Sequence, residues 1–195
     1  AAVATAIETE ALSMPLPEQA IVIDSPAGQI HAYAEKNDQQ LTVSFDNVPS
    51  FIVAQSQSVY IEGLGNIVYD IAFGGAYYAY VNADLYDISC QPDNQQQLIT
   101  LGKAIKQAVI ENYTVTHPIE PDLSFLYGTI FYSKKHLDKG AHSKHVCIFA
   151  DGEVDRSPTG TGGSGRIALL KAQEGIKQDQ PVIIESIVGG RMTVS

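Results

Sequence analysis

From Ile21 onward the chain alternates short β-branched runs with turn residues, and only two stretches interrupt that rhythm with helical spacing. Val, Ile, Thr and Tyr lose rotamer freedom in a helix and sit well on a pleated surface, whereas Gly, Pro, Asn and Asp supply turns. Strands are therefore expected at 20–24, 29–36, 40–48, 51–60, 66–73, 76–81, 128–132, 144–150 and 182–187. Turns such as Pro26-Ala27-Gly28, Lys36-Asn37-Asp38, Gly63-Leu64-Gly65 and Gly74-Gly75 divide them at the spacing of antiparallel sheet. In the first helix Leu98, Leu101, Ile105, Ala108, Val109 and Asn112 share a face, with Lys103, Lys106 and Glu111 opposite. The second runs from about Thr161 to Glu174, with Ile167, Ala168, Leu169 and Ala172 clustered; its first half is almost all small or apolar. Such a helix is expected to be enclosed by sheet, with only its N-terminus at a surface or cleft. Strand runs with two helices predict an α+β fold.

Residues 151–170 carry the densest chemistry: a rigid turn, a glycine-rich loop and the start of that second helix. Backbone N–H groups freed by Gly160, Gly162, Gly163 and Gly165 can converge on a carboxylate or phosphate, and the positive end of the helix dipole adds to the attraction. Thr159 stands at the mouth of this loop. In Asp155-Arg156-Ser157-Pro158 the Asp can simply accept its own backbone N–H groups in a tight turn. The same geometry sets a carboxylate before an anion site, which suits a zwitterion such as an amino or imino acid. Gly160-x-Gly162-x-x-Gly165 also has dinucleotide-fingerprint spacing, with Glu185 twenty residues beyond Gly165. That reading is disfavoured because residues 151–159 separate the first glycine from its strand, and Pro158 stiffens the approach.

Twenty-two acidic against twelve basic residues, a formal charge of −10, leave no electrostatic footprint for nucleic acid and predict repulsion from anionic membranes. No apolar run approaches the roughly 18 residues of a membrane helix and nothing resembles a signal peptide, so a cytoplasmic location is expected. Cys147, in the apolar run 145–150, reads as a buried strand cysteine, and His142-x-x-His145 is wrongly spaced for two metal ligands on one strand face. No metal is expected. The N-terminus reads as helix from its first residue, without Met or an N-cap, so the chain is expected to be a fragment of something longer.

At Asp155-Arg156-Ser157-Pro158-Thr159-Gly160-Thr161-Gly162-Gly163-Ser164-Gly165-Arg166 the sequence resembles the second active-site motif of the proline racemase family. The likeness extends to Ile23-Asp24-Ser25-Pro26-Ala27-Gly28, Asn47-Val48-Pro49-Ser50-Phe51, Asp70-Ile71-Ala72-Phe73-Gly74-Gly75-Ala76-Tyr77-Tyr78, Tyr127-Gly128-Thr129-Ile130-Phe131 and Glu185-Ser186-Ile187-Val188-Gly189. It implies the diaminopimelate-epimerase-like fold, in which each of two lobes is an antiparallel β-rich cup around a central helix and substrate lies between them. On that reading residues 1–17 are the end of the first lobe's central helix and a linker, 18–188 the second lobe, and 189–195 a crossover back toward the first. The family's racemases use one cysteine from each lobe as acid and base, without cofactor. Here Thr159 occupies the second cysteine position, and the first-lobe Met-Cys-Gly-His motif does not occur. A threonine hydroxyl is too weak an acid to serve as an anion near neutral pH, which disfavours racemisation.

Cysteine with threonine is the arrangement of the family's trans-3-hydroxy-L-proline dehydratases, whose first-lobe cysteine would remove the α-proton before the 3-hydroxyl departs. The resemblance then makes Thr159 the residue facing the departing hydroxyl or lining that face, Asp155 the ligand of the ring nitrogen, Gly160 and Thr161 the ligands of the carboxylate, and Phe149 an apolar wall. Phe149 reads equally as a core residue, and Arg166 as a helix-surface or interlobe residue. The alternatives are a proline racemase or 4-hydroxyproline epimerase, and a non-catalytic amino-acid-binding homologue. The expected partners are a small imino acid and the first lobe of the same protein, with a homodimer compatible. The fragment alone is expected to be inactive.

Overall fold

In the computed structural model, which describes residues 2–12, 20–37 and 40–195, contacts gather into two units, Ala1–Val48 and Pro49–Ser195. The first holds helix α1 (Ala2–Glu8) and strands β1 (Ile21–Ser25), β2 (Gly28–Asn37) and β3 (Gln40–Asp46), which form an antiparallel three-stranded sheet in sequence order. Gly28, at φ 128°, opens β2 in a backbone region that side-chain-bearing residues avoid. Val3, Ala32 and Ala34 form its core, with Ile7, Ile21, Ile23, Leu41 and Val43 packed around them.

The second unit is built on an eight-stranded sheet. Strands β4 (Phe51–Ile61), β5 (Gly65–Phe73) and β6 (Tyr77–Asn82) form an antiparallel meander, and helix α2 (Gln95–Asn112) then returns the chain to β7 (Leu126–Ser133), parallel to β6. Strand β8 (Ser143–Phe149) is antiparallel to β7, and the two-residue β9 (Glu153–Val154) folds back on it. Helix α3 (Gly160–Glu174) crosses to β10 (Val182–Ser186), parallel to β8, and β11 (Arg191–Val194) closes the order β11-β10-β8-β7-β6-β5-β4. Parallel neighbours need a connection as long as the strand, and the two helices supply it. Helix α3 packs against β4 at one edge of the sheet and β11 at the other, as well as against β5 and β6. The sheet therefore curls around this helix and makes a cup with α3 at its centre.

The α+β cup around a central helix is thus present, mostly antiparallel, with two parallel pairs, β6 with β7 and β8 with β10. The nine expected strands form, and β9 and β11 are additional. The contact boundary falls at Val48/Pro49, where β1, β2 and β3 pair only with one another. The proline-punctuated linker, Ser13 to Glu18, lies outside the described residues, as does Asp38 of the third expected turn.

Two expectations about α3 are corrected. Gly162, Gly163 and Gly165 belong to the buried first turns of the helix, not to a loop. A Cβ on Gly165 would run into the Tyr80 hydroxyl, and one on Gly162 into Ile130 and Thr159, so these glycines serve close packing. Arg166 is buried rather than on the helix surface, because the sheet encloses that face of α3. Its guanidinium carbon lies 3.7 Å from the centroid of the Tyr132 ring, and Nη1 reaches Gln173 Oε1 at 3.4 Å. Gln173 in turn donates to Asp70 at 2.7 Å. A buried lone cation costs several kcal/mol, on the order of which a desolvated cation–π contact returns about 2. Among the described residues no helix is long and apolar enough to cross a membrane.

Candidate active site

The site is assembled where β8 ends. After Phe149 the chain reverses through Asp151 and Gly152, whose N–H reaches back to the Phe149 carbonyl at 2.9 Å. Strand β9 then pairs Val154 with Ile148 and Glu153 with Phe149, so the Asp155 N–H meets the Cys147 carbonyl at 3.1 Å. Asp155 is thereby fixed to the sheet one turn ahead of α3. The signal for β9 was the Asp-Gly pair, a strong hairpin marker.

Asp155 organises the segment that follows. Its Oδ1 accepts from the Ser157 N–H at 2.8 Å, and Oδ2 accepts from the Ser157 hydroxyl and the Thr159 hydroxyl, each at 2.9 Å. The tight-turn reading and the carboxylate-site reading are thus one geometry. An ionised carboxylate offers about four acceptor positions, so roughly one is left for a cationic nitrogen. Thr159 is buried and has φ 67° and ψ 103°, a backbone region where a β-branched residue is an outlier. Its side chain does not cap the helix; it points back to Asp155.

Beyond Thr159 the first intrahelical donor is Gly163, whose N–H reaches the Thr159 carbonyl at 2.6 Å. The N–H groups of Gly160, Thr161 and Gly162 precede it, as at any helix start, and α3 carries no acidic residue in its first turn to quench their field. Gly160 and Thr161 are half-buried, as is Asp155. Phe149 is half-buried too and stacks on Tyr127 with centroids 5.6 Å apart, contributing to the core on one side and a partly open apolar surface on the other. The arrangement sets a carboxylate, a hydroxyl and a patch of amide donors in sequence along one short stretch, with an aromatic pair beside them.

Three residues not singled out beforehand complete it. Tyr78 Oη lies 2.9 Å from Thr161 Oγ1, and Tyr80 Oη donates to the Gly162 carbonyl at 2.8 Å. Gly74 passes so close to the backbone of Thr161 and Gly165 that a Cβ there would collide with both. Nothing in the sequence separates the two tyrosines from core; the Gly74-Gly75 pair alone marked the turn before them. Cys147 is buried as expected, and burial first, with Asp155 adding, pushes its thiol up to about 12 against the Thr159 hydrogen bond. It stays protonated and is no base near neutral pH. Glu185 forms a buried ion pair with Lys144 at 2.9 Å, which commits the carboxylate that a ribose would need.

The proline racemase family model matches residues 1–195. The chain is 45% identical over 191 residues to a trans-3-hydroxy-L-proline dehydratase of Colwellia psychrerythraea, covering 97% of this chain and 54% of that protein. It is 36% identical over 185 residues to a 3-hydroxyproline 2-epimerase of Burkholderia multivorans, covering 94% and 55%. Among solved structures, a hydroxyproline epimerase from Agrobacterium vitis with bound trans-4-hydroxy-L-proline superposes with a TM-score of 0.89 at 28% identity, covering 98% of this chain and 55% of that one. The chain spans about half the length of the curated relatives it matches. With the cup, the central helix and a family match along its whole length, the chain belongs to the proline racemase family.

Proposed function

We propose that this chain is part of a trans-3-hydroxy-L-proline dehydratase and carries its second lobe. The observation that carries the reading is Thr159: where the motif resemblance puts the family's second cysteine, this chain has a buried hydroxyl, hydrogen-bonded to Asp155 at 2.9 Å. Cys147 does not replace the lost thiol, since burial keeps it protonated. A second thiolate for two-base exchange is therefore missing from this face. Dehydration needs only one base. A thiolate from the rest of the protein takes the α-proton, the C2–C3 double bond forms as the C3–O bond breaks, and the hydroxide leaves as water on taking a proton. The cyclic enamine tautomerises to pyrroline-2-carboxylate. No cofactor enters this scheme.

Asp155 holds the ring nitrogen, the N–H groups of Gly160 and Thr161 with the Thr161 hydroxyl hold the carboxylate, Phe149 lines the ring, and Thr159 lies against the departing hydroxyl. The relative named 3-hydroxyproline 2-epimerase and the epimerase structure support a second reading, in which the product is the other epimer. The test is to incubate the complete protein with trans-3-hydroxy-L-proline, L-proline and trans-4-hydroxy-L-proline, following pyrroline formation and optical rotation. Pyrroline from the 3-hydroxy substrate alone is expected; rotation change without dehydration refutes the choice. The 195-residue chain by itself should turn over nothing. Asp155→Ala should weaken substrate binding by about tenfold or more, the loss of one charge-assisted hydrogen bond.

A further inference from the structure

Strand β6 sets Tyr78 and Tyr80 two residues apart on one face, and both hydroxyls end on the first turn of α3. The two bonds differ in kind. Tyr80 donates to the Gly162 carbonyl, a backbone acceptor, and so ties the helix to the sheet. Tyr78 meets a side chain, Thr161 Oγ1, which sits among the N–H groups that no carbonyl of the helix reaches. The Tyr78 ring is buried and held edge-on by Tyr127, centroids 5.8 Å apart and planes at 80°, so its hydroxyl has one place to go.

We propose that Tyr78 is a positioning residue for carboxylate recognition: by donating its proton to Thr161 Oγ1, it leaves the Thr161 proton directed to the carboxylate of a bound imino acid. This rests on the carboxylate site assigned above. Burial, the largest influence on Tyr78, raises its pKa, so the phenol remains a neutral donor across the working pH range. A hydroxyl that accepts a hydrogen bond becomes a better donor, and a chain of two hydroxyls ending on a carboxylate runs in one direction only. Sequence alone does not distinguish Tyr78 from the buried tyrosines around it.

The test is a double-mutant cycle in the complete protein, with L-proline binding measured by calorimetry. Tyr78→Phe fills the same volume and is expected to weaken L-proline about tenfold, the size of one hydrogen bond to a charged group passed through a relay. On a Thr161→Ala background the same change should cost less than about twofold, whereas on Thr161→Ser, which keeps the hydroxyl, the full loss should reappear. In turnover the loss should fall on KM, with kcat held within about twofold. Equal losses on the Ala and Ser backgrounds would mean that Tyr78 serves packing alone and overturn the proposal. If the parent protein binds L-proline but dehydrates nothing, the assigned reaction falls while the cycle still decides Tyr78. If it binds no imino-acid carboxylate, the site and this role are overturned together.

Discussion

Gly163 and Gly165 are two residues apart in α3, both buried, and alanine should act on them with opposite sign. In a helix interior Gly→Ala gains about 1 kcal/mol from backbone entropy alone. At Gly163 a Cβ would meet Val194 Cγ1 at 3.4 Å and Ile184 Cδ1 at 3.6 Å, ordinary contact with two flexible ends, so the gain should be kept. At Gly165 the same Cβ enters the Tyr80 hydroxyl, which is 1% exposed and bonded to the Gly162 carbonyl. Overpacking costs about 1–3 kcal/mol and a displaced, unsatisfied buried hydroxyl about 1–3 more. After the helix gain the net is a loss of about 3 kcal/mol. For a domain of this size 1 kcal/mol moves the midpoint by about 2–4 °C. Gly163→Ala should thus melt about 3 °C above the parent and Gly165→Ala about 9 °C below, by circular dichroism at about 222 nm, where α2 and α3 dominate. Matching shifts of one sign would refute the claim that Gly165, and not Gly163, is required by the approach of the Tyr80 hydroxyl.

His145 is fully buried and held neutral, first by desolvation and then by Arg166 and His142, so its pKa lies well below the ordinary value. The unfolded chain titrates near 6.5 and binds the extra proton first; stability is therefore complete above about pH 6.5 and falls by about 1.4 kcal/mol per unit below it. Urea midpoints between about pH 7.5 and 5 should show that slope, and His145→Gln should flatten it; an unchanged slope would assign the acid sensitivity elsewhere. Lys144→Met leaves the Glu185 carboxylate, 2% exposed, with the Asp138 N–H at 3.1 Å and Arg191 at 3.9 Å as its remaining partners, and should cost about 3 kcal/mol, most of it recovered when Glu185→Leu is added. If the double variant is no better than the single one in denaturant titration, Glu185 is not the reason Lys144 is there.

The strands were legible because β-branched residues and turn residues segregate so cleanly, and the helices because their apolar spacing is unmistakable. Which strands pair in parallel was not, since alternation looks the same in either direction. The only trace was the helix-length separation of the runs that became β6 and β7, and β8 and β10. Strand β9 escaped because two residues carry no period, and β11 because residues 189–195 were expected as a crossover rather than a strand. At the candidate site, the hydrogen-bonded turn of Asp155, Ser157 and Thr159 was legible from the turn chemistry of the segment. Tyr78 did not, because a tyrosine on a buried strand is indistinguishable in sequence from core. Arg166 misled for the opposite reason: a charge on a helix reads as solvent-facing until the helix is known to lie inside the cup.

The two crossovers also set the two helix starts in different surroundings. Strand β6 is parallel to β7 and β7 antiparallel to β8, with Gly128 opposite Phe149 and Tyr78 opposite Gly128, so α2 and α3 begin at opposite ends of the sheet. The chain enters α2 through the 3-10 turn Pro92–Asn94, whose Asp93 places a negative charge just ahead of the helix; α2 itself, like α3, has no acid in its first turn. The chain enters α3 through Thr159 and Gly160, with the Asp155 carboxylate held one turn back by hydrogen bonds to Ser157 and Thr159. A ligand carrying only a negative charge would meet that carboxylate as a repulsion. On the function proposed above, one carrying both charges has each end matched, and a zwitterion is expected to bind more tightly than a simple anion of the same size.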